Sequence, residues 1–310
     1  MIRKVLSLLL AFCFAFFCPV LACAMDDEQN NLEDKVYRDG EYEYRIKEDG
    51  GAEITRYLGS EKIIDIPAKL GGYPVTSIGE AAFFHCIELR KVTVPGSVRT
   101  IGSGAFAYCY YLTIITLSEG LGEIGEYAFN QCSIINISIP ESVKCIKSYA
   151  FVASALTEVV IPKTVEELGD GIFFGCSELK SVKILCPLPE LPSGMFAFCG
   201  KLTDISIHSL NGRIGSEAFK YCTSLQRFEI PEGTTELETN VFLYCFGLEE
   251  IVIPASVKEF YTYDETTENG EILEYNPFTG CSSELVFSVA KDSAGEDFCE
   301  SHQFRYRYLK

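Results

Sequence analysis

The residues with the greatest chemical potential are cysteines. The chain has 14 of them in 310 residues, against three histidines. Eight recur in one setting, a phenylalanine, two variable residues and a cysteine. These are Phe83/Cys86, Phe106/Cys109, Phe129/Cys132, Phe173/Cys176, Phe196/Cys199, Phe219/Cys222, Phe242/Cys245 and Phe278/Cys281. A further copy, Phe151 to Ser154, keeps the ring and loses the thiol. Thiols at such spacing could pair, bind zinc or attack a substrate. Zinc needs clustered ligands such as Cys-x-x-Cys, and the sequence has none. Cys13, Cys18 and Cys23 lie in the first 24 residues, which leaves eleven cysteines, an odd number that cannot pair completely. Free cysteine is among the most buried residue types. One thiol per repeat, all facing the same way, therefore reads as a packed ladder. Unpaired thiols in an exported chain point to an anaerobic or reducing habitat.

Other chemistry is sparse. His85, His208 and His302 are isolated, and no catalytic Ser/His/Asp order, phosphate-binding loop or dinucleotide fingerprint occurs. Asp264, Glu265, Glu268 and Glu271 lie close together. They read as a solvated acidic loop or as a weak calcium site, since calcium takes several oxygen ligands, although their spacing is not that of an EF-hand. A glycoside hydrolase would need two carboxylates projecting into one cleft, which a uniform repeat does not offer. No catalytic residue, metal site or cofactor is expected.

The elements that carry these residues follow from the period. Successive motif phenylalanines are 22 or 23 residues apart, and 36 at the last step. A fixed period of this length marks a solenoid. Each copy continues into a short alternating strand, as in Leu112-x-x-Ile115-x-Leu117, often ended by proline (Pro67, Pro95, Pro140, Pro162, Pro231, Pro254). A second inward segment ends in glycine at Gly79, Gly102, Gly125, Gly169 and Gly215. Those glycines mark a tight backbone passage. The predicted fold is a repeat solenoid of about nine 22–23-residue coils with a parallel β ladder. Alternation over residues 37–60 predicts a capping β-hairpin, residues 61–284 the solenoid with an insertion at about 261–274, and residues 285–310 a β-α-β cap.

Residues 1–24 read as a secretory signal peptide: Arg3 and Lys4, an apolar run from Val5 to Phe17, then Ala22 and Ala24. Cleavage after Ala24 competes with a lipoprotein reading in which Cys23 carries the lipid. Residues 25–36 read as a flexible spacer. The membrane is thus met only through the signal or a lipid anchor. Loss of Arg3 and Lys4 takes the net charge from −18 to −20. So acidic a chain is repelled by phosphate backbones, so nucleic acid is excluded as a partner.

The run Ala52-x-Ile54-Thr55-x-Tyr57-x-Gly59, with Ile66-Pro67, Gly72-x-Pro74-Val75-Thr76-x-Ile78-Gly79 and Ala82-Phe83-x-x-Cys86, resembles the opening of BspA-like leucine-rich repeat proteins. The coils that follow resemble their body, and Ser293-Ala294-Gly295-Glu296 through Arg305-Tyr306 is similar to their terminal cap. The resemblance implies a secreted or cell-surface protein that binds a protein or glycan on a host or bacterial surface. The alternative is a structural spacer of the envelope. The chain is expected to be a monomer.

Candidate contact residues are those the repeat leaves free. Outward strand positions Thr93, Thr116, Ser138, Lys183, Ser206 and Glu229 form one column. A second column follows each motif phenylalanine by two positions and includes Tyr108, Phe198, Tyr221 and Tyr244. Exposed aromatic rings are frequent interface anchors. Rings packed only against one another are the structural alternative.

Overall fold

A computed structural model describes residues 35–267, 269 and 272–310. The signal peptide, Cys23 and most of the spacer lie outside the described residues, as do Glu268 and Glu271. No helix among the described residues is long and apolar enough to cross a membrane.

The chain opens with β1 (Tyr37–Asp39), β2 (Tyr42–Ile46) and β3 (Ala52–Tyr57), an antiparallel set. Then come β4 (Ile63–Asp65), β5 (Lys69–Leu70) and β6 (Tyr73–Ile78). The body follows with β7 (Lys91–Val94), β8 (Thr100–Ile101), β9 (Ile114–Leu117), β10 (Glu123–Ile124), β11 (Cys145–Ile146), β12 (Glu158–Ile161) and β13 (Glu167–Leu168). It continues with β14 (Ser181–Leu188), β15 (Asp204–Leu210), β16 (Arg213–Ile214), β17 (Arg227–Glu229), β18 (Glu236–Leu237), β19 (Glu250–Ile253) and β20 (Glu259–Phe260). The insertion supplies β21 (Tyr263–Thr266) and β22 (Ile272–Tyr275). The end is β23 (Val286–Val289), α1 (Ala294–Ser301) and β24 (Arg305–Tyr308). Ser293 caps α1 by accepting from the Glu296 N–H.

Most coils contribute one strand to each of two ladders, in which strands stack in parallel. The first ladder runs β4-β7-β9, β12-β14-β15 and β17-β19-β23-β24. The second runs β3-β6-β8-β10-β11-β13 and, further on, β16-β18-β20. The coil of Asn136 lacks a strand of the first kind and the coil of Leu191 one of the second, each having only isolated bridges there. Together the coils form a parallel β-solenoid of about eleven turns. Proline follows β7, β12 and β19 directly and β4 and β17 after one residue, whereas Pro140 follows no strand, and the coil with Cys186-Pro187-Leu188-Pro189 runs on through Leu188 with a register shift between Ile184 and Pro187.

The motif phenylalanines form one file through the core. Phe83, Phe106, Phe129, Phe151, Phe173, Phe196, Phe219 and Phe242 are wholly buried. Adjacent rings in the file lie 4.8–5.8 Å apart and nearly parallel, down to Phe242–Phe278 at 5.4 Å. Offset stacking at this distance is favourable beyond the area buried. Tyr57 stacks on Phe83 at 5.2 Å, so the antiparallel strands cover the first ring. At the other end Phe298 of α1 lies 6.0 Å from Phe278.

The thiols make a second file, with a role beyond small size. The Cys109 thiol donates to the Phe83 carbonyl of the preceding coil at 3.0 Å. The same bond recurs from Cys132, Cys176, Cys199, Cys222, Cys245 and Cys281 at 3.0–3.2 Å. Each phenylalanine carbonyl also accepts its own cysteine N–H, as Phe196 does from Cys199. All eleven cysteines among the described residues are free, and nine of them are buried. Burial pushes the Cys176 thiol up to about 11 and holds those of Cys199 and Cys222 well above the ordinary range. Cys86 is half-buried, and the Cys109 thiol beside it lowers its pKa. Thiolate fraction and access set alkylation rate. Iodoacetamide on the native protein is therefore expected to modify Cys86 first, with the Cys199 and Cys222 peptides labelled only after denaturation. Peptide mass mapping checks this, and equal early labelling of Cys222 would contradict the buried file.

The corner glycines are also explained. A Cβ on Gly102 would lie 2.8 Å from the Gly79 carbonyl carbon, and one on Gly125 would lie 2.7 Å from that of Gly102. At Gly102 and Gly125 the backbones of successive coils approach too closely for a side chain, whereas Lys147 and Glu238 occupy the same corner in other coils.

Candidate functional site

The region between F−2 and F+2, counted from each motif phenylalanine F, has a backbone that residue type alone does not announce. At F+2 the chain is left-handed in every coil: His85, Tyr108, Gln131, Ala153, Gly175, Phe198, Tyr221, Tyr244 and Gly280 all have φ between 53° and 73°. F−2 is left-handed too at Ala81, Gly104, Tyr127, Tyr149, Gly171, Gly194, Glu217 and Asn240. The cause is hydrogen bonding between coils. The N–H of Tyr108 donates to the Asn130 carbonyl, that of Phe106 to Ala128 and that of Tyr221 to Leu243, each in the next coil. Directing alternate N–H groups at the next coil within a tight double turn requires positive φ on either side of the ring. For a bulky residue that conformation is a true outlier, worth of order 1–3 kcal/mol of strain. Gly175 and Gly280 show that the turn accepts glycine. Aromatic residues at these positions are therefore held against the local backbone preference.

These rings form a continuous column. Phe198 stacks on Tyr221 at 4.9 Å, and Tyr221 on Tyr244 at 4.9 Å. The column extends beyond the three positions expected. Phe174 lies 5.1 Å from Phe198, Tyr149 6.4 Å from Phe174 and Tyr127 5.2 Å from Tyr149. Phe246 closes the other end, 5.7 Å from Tyr244, and is 58% exposed. Phe198, Tyr221 and Tyr244 are half-buried, with neighbouring rings covering their faces. Two glycines lie beneath the column. A Cβ on Gly171 would fall 2.2 Å from the Tyr149 ring, and one on Gly280 2.4 Å from that of Tyr244. Sequence reasoning missed Tyr127, Tyr149, Phe174 and Phe246 because it followed a single offset. Scanning F−2, F+1 and F+4 as well would have found them.

Tyr108 belongs to a separate patch on the first coils. It lies 5.3 Å from Phe84 and 5.9 Å from Tyr110. Tyr110 and Tyr111 are exposed, and the Arg90 guanidinium lies 4.3 Å from the Tyr111 ring centre. Beside this patch is a groove of ≈ 540 Å³ whose lining includes Arg56, Tyr57, Glu61, Glu80, Phe84 and His85.

The outward strand column is interrupted. Thr93 pairs in register with Thr116, and Lys183 with Ser206. Ser138 lies outside any strand, in a coil joined to its neighbours there only by bridges through Asn136. Ser206 and Glu229 sit on unpaired neighbours, since β15 and β17 belong to different sheets. Beyond Glu229 the face is ionic. Arg227 bonds Glu229 and Glu250, and Glu250 also meets Arg307.

The insertion is an antiparallel hairpin and not a loop. Asp264 pairs with Glu274 and Glu265 with Leu273. Adjacent strand residues point to opposite faces, so Asp264 and Glu265 cannot converge on one ion. No group of side chains that could hold a metal occurs among the described residues. Tyr263 stacks on Tyr275 at 5.0 Å and accepts from the Asn240 amide, which ties the hairpin back to the solenoid. Of the histidines, His85 and His208 are exposed, while His302 stacks on Phe298 at 4.3 Å.

Stacked parallel coils with inward leucine, isoleucine and phenylalanine files and short strands on one side define a leucine-rich repeat solenoid. The profile of the BspA type leucine rich repeat region matches residues 76–185 and 144–264, in six copies, and the chain belongs to that family. Such proteins are generally found at the cell surface or secreted, and are generally non-enzymatic binding scaffolds. Among solved structures, the leucine rich repeat protein of T. pallidum is 34% identical, with 62% of this chain and 91% of that one covered and a TM-score of 0.57. A leucine-rich repeat protein from Bacteroides ovatus is 21% identical, covering 88% of this chain and 100% of that one, with a TM-score of 0.43. One from Bacteroides capillosus is 34% identical over 48% of this chain and 97% of that one, with a TM-score of 0.35. No curated protein sequence matches the chain.

Proposed function

We propose that the chain is an exported binding protein, acting as a monomer, that engages a protein or glycan of a host or bacterial surface through its aromatic column. The supporting observation is the set of rings at Tyr149, Phe198, Tyr221 and Tyr244, all at left-handed positions where the same turn elsewhere takes glycine. Local strain persists where the surroundings over-determine it, and it concentrates at functional sites. Rings with covered faces and accessible edges, stepped about 5 Å apart across successive coils, suit a repeating or extended partner. Tyrosine adds a hydroxyl to each step, and aromatic anchors carry much of the energy in interfaces.

Export rests on the N-terminal apolar run and the family's habits. Cys23 is the lipidation candidate if the lipoprotein reading holds. Globomycin treatment of the producing cells would then accumulate the unprocessed precursor, whereas unchanged processing would assign cleavage after Ala24. The binding reading is tested by pull-down of the purified protein against host matrix proteins and bacterial surface glycans. Retention of one class is the expected result. Retention of none would make the chain an envelope spacer.

A further inference from the structure

The first ladder is interrupted between β15 and β17, although the same two coils stay joined elsewhere. β16 pairs with β18, and the Phe219 and Phe242 rings stack at 5.1 Å. No backbone hydrogen bond links β15 to β17. Nearly all of their Cα atoms are more than 8 Å apart. Paired strands lie ~4.8 Å apart, so the two borders stand wider than a hydrogen-bonded pair along Asp204–Ile207, and the coils close again where Gly233 meets the Leu210 carbonyl.

Both borders present unused backbone. In a parallel ladder alternate residues bond to opposite neighbours. The Asp204 N–H bonds toward β14, so Ile205 and Ile207 face the split. The Ile230 N–H bonds toward β19, so Arg227 and Glu229 face it from the other side. The inward side chains also register the break. Ile205 and Ile207 are half-buried, whereas their neighbours Val182 and Ile184 are buried. A groove of ≈ 370 Å³ lies here, lined in part by Ile205, Ile207, Phe228, Glu229 and Glu232. Two sequence departures coincide with it. β15 runs on to Leu210 without the proline that ends β17, and Phe228 occupies an inward position held by valine or isoleucine in neighbouring coils.

We infer that the split between β15 and β17 is a slot for one extended strand of a partner protein, with alternating apolar and basic side chains. The unused N–H and C=O groups on both borders specify a strand. Inward, the occupant's apolar residues would fill the space beside Ile205, Ile207 and Phe228. Outward, Asp204 and Glu232 present two carboxylates that no ion pair among the described residues takes up. The nearby Arg227 is already taken up by Glu229 and Glu250. This charge selects lysine or arginine. The slot shares no residue with the aromatic column, so either site can fail without the other.

The test is amide hydrogen exchange on the purified protein with a Thr-Val-Lys-Val-Lys-Val-Thr peptide. In the free protein Ile205, Ile207 and Glu229 should exchange at least tenfold faster than Ser206, whose N–H bonds toward β14. Saturating peptide should slow those three amides at least tenfold. The Glu-for-Lys peptide and a backbone N-methylated peptide should have no such effect. Slow exchange at Ile205 and Ile207 in the free protein would overturn the proposal, as would a Val-Lys peptide that fails to protect them or an N-methylated peptide that protects equally. Protection that rises with protein concentration alone would assign the slot to a second copy of this chain and so overturn it too.

Discussion

Raising the pH from 7 to 10 should lower the stability steeply, on linkage grounds alone. The cause is the thiol file. Burial raises the Cys176 thiol to about 11 and Cys281 to about 12, and holds Cys199, Cys222 and Cys245 well above 9.0. These groups have a folded-state pKa above the unfolded one. Their contribution is complete below pH ~9 and is lost as pH rises toward the folded values. Each thiol that stays protonated in the fold while ionised in the unfolded chain costs about 1.4 kcal/mol per pH unit. Cys109 and Cys132 are shifted upward too, so over the whole file the loss is large against the stability of an ordinary domain, about 5–15 kcal/mol. Urea midpoints measured between pH 7 and pH 10 should therefore fall steeply above pH 9. Replacing Cys199 and Cys222 by serine, the residue that Ser154 already supplies in one coil, should flatten the fall. A midpoint independent of pH up to 10 would mean that the thiols are accessible or paired.

Phe173→Ala should be the most damaging single substitution in the body. The ring is fully buried and stacked between Phe151 at 5.7 Å and Phe196 at 5.8 Å. Phenylalanine-to-alanine changes in cores cost about 3–5 kcal/mol. In a solenoid each repeat is stabilised only by its neighbours, so the cavity weakens two interfaces at once. Native-state hydrogen exchange should show the coils on either side of Phe173 opening before those at the ends. The substitution Phe278→Ala, beside the terminal elements, should leave the central coils protected. Loss of less than about 1 kcal/mol at Phe173 would contradict the stacked core.

The parts of the fold that were legible in the sequence are those set by side-chain type at a fixed period. Phe106 and its counterparts are large, apolar and evenly spaced, so their file could be read directly. Gly79 and Gly102 signalled close backbone passage for the same reason. What escaped depends on hydrogen bonds between coils. Tyr108, Tyr221 and Tyr244 carry no mark of left-handed backbone, because residues of their kind seldom adopt it. Positive φ comes there from N–H groups turned toward the next coil, a property of the stack. The bond from the Cys109 thiol to the Phe83 carbonyl was hidden likewise, since its acceptor lies 26 residues back. The strand ladder was read as continuous because Ser206 and Glu229 fit the same pattern as Thr93 and Thr116. Its interruption arises where β15 lacks a terminating proline and Phe228 replaces a smaller residue. The acidic insertion was read by composition, which does not distinguish a loop from the hairpin that Tyr263 and Tyr275 hold together.

The central claim is that the aromatic column exists for recognition and not for stability. Glycine substitution separates the two. Phe198→Gly, Tyr221→Gly and Tyr244→Gly remove three stacked rings, at roughly 0.5–1.5 kcal/mol per pair. They also relieve left-handed strain of about 1–2 kcal/mol per residue. The triple variant should thus stay folded, with an unfolding free energy within about 2 kcal/mol of the parent on the same terms. The most direct measurement is retention of parent and triple variant by the same panel of host matrix proteins and bacterial surface glycans, with thermal melts run in parallel. The account predicts a variant that melts like the parent and loses at least tenfold in retention. A folded variant that is retained as well as the parent would contradict it.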